Sequence, residues 1–146
     1  METNRIENTH FNKLIGKWRT EGVILETDST PEMEISGMDT YEFILDGFYI
    51  LHKADVLMNK ERNQTYEIIA LDNADGRVSL THYNNQGLSG KMTGSLLDNE
   101  LLIHGEELRF TGQFSTDENQ IEGTWEKLVN HKDWVKYLHM HFFRIE

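Results

Sequence analysis

The stretch Phe48-Tyr49-Ile50-Leu51-His52-Lys53-Ala54-Asp55-Val56 alternates between two kinds of side chain. Its even positions, Phe48, Ile50, His52, Ala54 and Val56, are mostly apolar, while the odd ones include Lys53 and Asp55. Successive side chains of a strand point to opposite faces, so this stretch reads as a strand with one face turned inward. The same alternation recurs along the chain. It places Tyr66, Ile68 and Ala70 inward, then Val78, Leu80 and His82, then Leu88, Gly90, Met92 and Gly94. Further on it places Leu108, Phe110, Gly112 and Phe114 inward, with Ile121, Gly123 and Trp125 after them. Upstream, Tyr41, Phe43 and Leu45 face in against Thr40 and Glu42 outside. Burial of one face, strand after strand, belongs to antiparallel sheets, because parallel strands are apolar on both faces.

Turn chemistry separates these runs. Asp46-Gly47, Asn73 to Gly76, Asn84 to Gly87, Asp98-Asn99 and Thr116 to Asn119 carry the Asn, Asp and Gly that reversals need. Ten strands result, at 18–26, 38–45, 48–58, 65–72, 77–84, 88–97, 101–104, 108–115, 120–127 and 138–145. Residues 5–15 read as a short helix with Ile6, Phe11, Leu14 and Ile15 on one side, and 131–137 as a second helical turn. No linker or repeat divides residues 1–146, so the expectation is one all-β domain. Its architecture is an antiparallel up-and-down barrel of eight to ten strands, opened by a short helix.

Composition narrows function by exclusion. The chain has no cysteine, which removes disulfides, thiolate metal sites and thiol catalysis. Its net charge of −11 argues against nucleic-acid partners and against an anionic membrane surface. No window approaches the length of a membrane-spanning helix, and residues 1–15 are too polar for a signal-peptide core. The expectation is a cytoplasmic protein. The short apolar strand at 101–104 would offer an edge for a homodimer.

Leu14-Ile15-Gly16-Lys17-Trp18-Arg19-Thr20-Glu21-Gly22 is the most specific stretch. Gly-x-Trp at the start of the first strand resembles the signature of the calycins, the lipocalin and fatty-acid-binding-protein group. Leu45-Asp46-Gly47-Phe48 is similar to a turn in bacterial lipocalin-like domains of unknown function. The opening also resembles that of nitrobindin, a haem-binding calycin, although Thr20 stands where its motif has a glycine. The resemblance implies that Trp18 closes one barrel end beneath Arg144 and serves structure rather than a ligand. It also implies a haem alternative, with His139 or His141 as the axial ligand. With Arg144 inward, parity turns Leu138, Met140 and Phe142 in and both histidines out.

The inward list mixes aromatic and polar-tipped side chains, which suits a pocket better than a solid core. The expected lining is Tyr41, Phe43, Ile50, His52, Tyr66, Ile68, Leu80, His82, Met92, Phe110 and Trp125. A small apolar or amphipathic molecule is the expected partner, held without a cofactor. The enzyme alternative is an isomerase, decarboxylase or hydrolase using His52, Tyr66 or His82 as acid or base. No nucleophile or phosphate-loop motif is present. His139-x-His141 lacks an evident third metal ligand. Asp72, Asn73, Asp75 and Gly76 lack the spacing of a calcium loop and read as a hairpin turn.

Overall fold

Ten antiparallel strands close on themselves into one barrel in the computed structural model, which describes residues 5–72 and 76–146. They are β1 (Gly16–Ile24), β2 (Met33–Ile44), β3 (Tyr49–Met58), β4 (Glu61–Leu71), β5 (Val78–Asn84), β6 (Ser89–Leu97), β7 (Glu100–His104), β8 (Leu108–Phe114), β9 (Gln120–Val129) and β10 (Asp133–Arg144). Each pairs with its sequence neighbour, and β10 pairs with β1 to complete the ring. The fold is an all-β, closed, antiparallel up-and-down barrel. Among the described residues no helix is long and apolar enough to cross a membrane.

The expected N-terminal helix is two 3-10 turns, Ile6–Asn8 and His10–Leu14. Thr9 separates them, accepting a hydrogen bond from the Phe11 N–H on its side-chain oxygen. Ile6, Phe11 and Leu14 are buried, so this segment plugs one barrel end. Residues 131–137 are not helical. Asn130 and His131 take positive φ, and β10 begins at Asp133. The edge expected at 101–104 does not exist, because β7 is hydrogen-bonded to β6 on one side and β8 on the other. That removes the edge argument for a homodimer. Part of the expected Asn73 to Gly76 turn lies at 73–75, outside the described residues.

Parity holds on most strands and fails on β4. Leu80, Phe110, Phe114, Ile121, Leu138 and Met140 are buried as alternation predicts. On β4 the inward residues are Glu67 and Ile69, whereas Tyr66 is 53% exposed and faces outward under Lys53. Ile68 and Ala70 share that outer side. Leu45, Phe48 and Leu88 are also exposed, because they lie just beyond strand ends. Phe48 follows the turn at Leu45–Gly47 and packs beneath the Arg5 guanidinium, 4.4 Å from its ring centroid.

Candidate functional site

A row of inward side chains crosses the barrel wall at one level. Tyr41 on β2 pairs with His52 on β3, His52 with Glu67 on β4, Glu67 with His82 on β5, and His82 with Gly90 on β6. Directly opposed residues on one face of an antiparallel pair bring their side chains into contact. Asp39 lies two residues before Tyr41, hence on the same face. His52 is the hub. Its Nε2 is 2.6 Å from Asp39 Oδ2 and its Nδ1 is 2.9 Å from Glu67 Oε1. The Thr20 hydroxyl on β1 donates to the other Asp39 oxygen. The Tyr41 ring stacks on the imidazole, centroids 4.1 Å apart and planes 6° from parallel.

Burial is the largest single influence on His52 and works against its charged form. The hydrogen bonds and charges of Asp39 and Glu67 together outweigh it, and the imidazole is pushed up from 6.5 to about 9. His52 is therefore an imidazolium at neutral pH, donating from both nitrogens to carboxylates. Tyr41 is pushed well above its usual value by burial first, then by the charges of Asp39 and Glu67, so its phenol stays protonated.

This cluster forms one wall of a cavity of about 280 Å³. Of the expected lining residues, Tyr41, His52, Leu80, His82, Met92, Phe110 and Trp125 border it. Four do not. Tyr66 and Ile68 point outward, Phe43 lies near the end of β2 and is 36% exposed, and Ile50 is buried in the core rather than at the cavity surface. Asp39, Glu67, Thr20 and the β10 residues Leu138, Met140 and Phe142 border the cavity in addition. His139 and His141 lie on the outer face, with Nε2 2.9 Å from Glu122 Oε2 and 2.9 Å from Gln120 Oε1 respectively. Neither can reach a haem inside the barrel, so the nitrobindin-like ligand set does not fit.

A family model described as a protein of unknown function, DUF1579, matches residues 3–137. The chain belongs to DUF1579. No protein with a curated description matches it. Among solved structures, Rv2717c from M. tuberculosis is similar, with a TM-score of 0.71 at 11% identity over 93% of this chain and 95% of the other. The S-type phycobiliprotein lyase CPES from Guillardia theta is similar with a TM-score of 0.65 at 10% identity, covering 97% of this chain and 93% of the other. At such identities the likeness shows the fold alone.

Two carboxylates of this DUF1579 site, Asp39 and Glu67, escape a reading by hydrophobicity. On β4 the outer face carries Tyr66, Ile68 and Ala70 and is the more apolar by composition, which reverses the expected parity. The signal that identifies Glu67 is a turn. Asn59 and Lys60 have φ of 50° and 70°, and Met58 pairs with Glu61 across them. A two-residue hairpin with both φ values positive sets the register of everything beyond it. That register brings Glu67 opposite His52.

The plugged end of the DUF1579 barrel is closed by Trp18 and Arg144, register partners on β1 and β10, and Trp18, which is also the register partner of Asp39, borders the cavity from that end. The guanidinium lies 4.2 Å from the indole centroid. It also donates to the carbonyls of Ile15 at 2.6 Å, Lys13 at 2.7 Å and Glu118 at 3.0 Å. The indole N–H donates to Leu14 O at 2.8 Å. The N-terminal plug, the turn after β8 and the last strand thus meet on one side chain.

Proposed function

We propose that this chain is a binding protein that holds one small amphipathic molecule inside its barrel. The apolar body lies against Met92, Phe110 and Trp125, and the polar end meets Glu67 beside His52. The observation that carries this reading is a cavity of about 280 Å³ with mostly apolar walls and one built polar cluster. Ligand sites combine those two features, and their volumes run from roughly 300 Å³ upward, so the ligand is small. The resemblance of the Gly16-x-Trp18 opening to that of fatty-acid-binding proteins agrees with a binding role.

Binding is favoured over acid–base catalysis because His52 has both ring nitrogens committed to carboxylates. A general base needs a free lone pair within reach of the substrate proton. Tyr66, the second expected acid–base group, is on the outer surface. Native mass spectrometry of the protein purified from its own host tests the reading. The expected result is a retained small-molecule mass that is lost on denaturation. A bare polypeptide mass, together with no saturable uptake of small amphipathic probes by calorimetry, overturns it.

A further inference from the structure

The charge of the polar cluster follows from its hydrogen bonds. Asp39, His52 and Glu67 are joined by two of them, and each holds one proton. Three fully deprotonated groups, an imidazolate and two carboxylates, would carry three negative charges. Two shared protons leave one negative charge, whichever atom each proton sits on. The Thr20 hydroxyl donates to Asp39 without changing that count.

Nothing in the wall balances this charge. Among the described residues bordering the cavity there is no lysine and no arginine. The Nδ1 of His82, which borders the cavity, is buried without a hydrogen-bond partner among the described residues. Glu67 is 7% exposed, and its Oε1 bonds His52. Its Oε2 has no hydrogen-bond partner among the described residues and is not sealed from solvent, and Glu67 itself borders the cavity. A buried charge with an unfilled acceptor is costly unless a counter-charge arrives.

The surface next to the cavity has the same sign. An outer cleft of about 440 Å³ shares His82, Met92 and Leu108 with the cavity and so adjoins it. Glu106 and Glu107 border that cleft, against the single cation Lys91. Acidic groups in a cleft concentrate cations there and repel anions.

We infer that the ligand is a small hydrophobic amine, whose ammonium group donates to Glu67 Oε2 and supplies the positive charge that the cavity wall lacks. This rests on the binding role proposed above and names the class of molecule. A protonated amine offers three donors and no acceptor, which suits a carboxylate oxygen that lacks a donor.

Isothermal titration calorimetry at neutral pH with hexylamine, hexan-1-ol and hexanoate tests it, since the three share one chain and differ in the head. Hexylamine should bind about tenfold or more tightly than hexan-1-ol, the scale of one charge-assisted bond, and hexanoate should bind least. In Glu67→Gln the preference for the amine over the alcohol should fall to near unity while alcohol binding persists. Equal or tighter binding of the alcohol or the carboxylate overturns the inference and leaves the binding role standing. So does an amine preference that survives Glu67→Gln. The wild-type comparison decides even if that variant fails to fold. Binding of none of the three overturns the binding role itself, and the inference with it.

Discussion

His52 stands directly opposite Glu67 across the β3–β4 hairpin, with Nδ1 2.9 Å from Oε1, while its other nitrogen holds Asp39. The ring is raised from 6.5 to about 9 despite the opposing effect of burial. A group whose pKa rises on folding stabilises the fold while it is protonated there. The contribution of His52 is therefore complete below pH 6.5 and is lost as pH climbs through about 9. Its size is on the order of 3 kcal/mol, from the shift and the free energy per pKa unit. Denaturant titrations across this window should show stability falling by that order. In Glu67→Gln the slope should flatten, and the His52 imidazole should titrate lower by NMR. A His52 that titrates at its ordinary value in the wild type would contradict the clamp.

Trp18 and Arg144 act as one closure. Trp18→Ala should cost about 3–5 kcal/mol, the range for emptying a buried aromatic site. Arg144→Lys is the sharper probe. A lysine keeps the charge but cannot serve the carbonyls of Lys13, Ile15 and Glu118 together, so roughly 1–3 kcal/mol should be lost. The double variant should lose less than the two singles combined, because the residues share one contact. Urea melts of the three proteins check this, and full additivity would show that the pair is not coupled.

The turn that sets the β3–β4 register places Lys60 at φ 70°, where a side chain is strained. Lys60→Gly relieves that strain and should raise stability by about 0.5–1 kcal/mol, net of glycine's greater freedom when unfolded. The measurement is the shift in urea midpoint at unchanged slope. A fall in midpoint would mean that the turn is not of this type in solution.

Phe110 lies over a cross-strand glycine pair, Gly112 on β8 and Gly123 on β9. A Cβ at Gly123 would run into the Phe110 ring and the Thr111 carbonyl. The ring borders the cavity, which gives it room to move in that direction. Gly123→Ala should therefore cost about 1–3 kcal/mol, the usual cost of overpacking, and should also weaken hexylamine uptake. Lost stability with unchanged uptake would place the ring's escape elsewhere.

The ten-strand barrel and the inward facing of Leu80, Phe110 and Trp125 were legible in the alternation, because a closed antiparallel sheet imposes a period of two wherever one face is buried. Leu45, Phe48 and Leu88 misled, since alternation carries no mark of where a strand stops. His52 and His82 were legible as inward polar groups for the same reason as their apolar neighbours.

What surrounds those histidines was decided by tertiary structure. Hydrophobicity places Tyr66 inside and Glu67 outside, and a one-residue difference in parity exchanges the two faces. The Asn59-Lys60 turn settles the matter by register, and the outer face of β4 stays apolar because Tyr66 packs under Lys53. Asp39 reaches His52 from another strand, and Thr20 reaches Asp39 from a third. No local pattern encodes such a meeting. A carboxylate inside a barrel is stable only once an imidazolium is beside it, and that neighbour is brought there by strand pairing rather than by proximity in the chain.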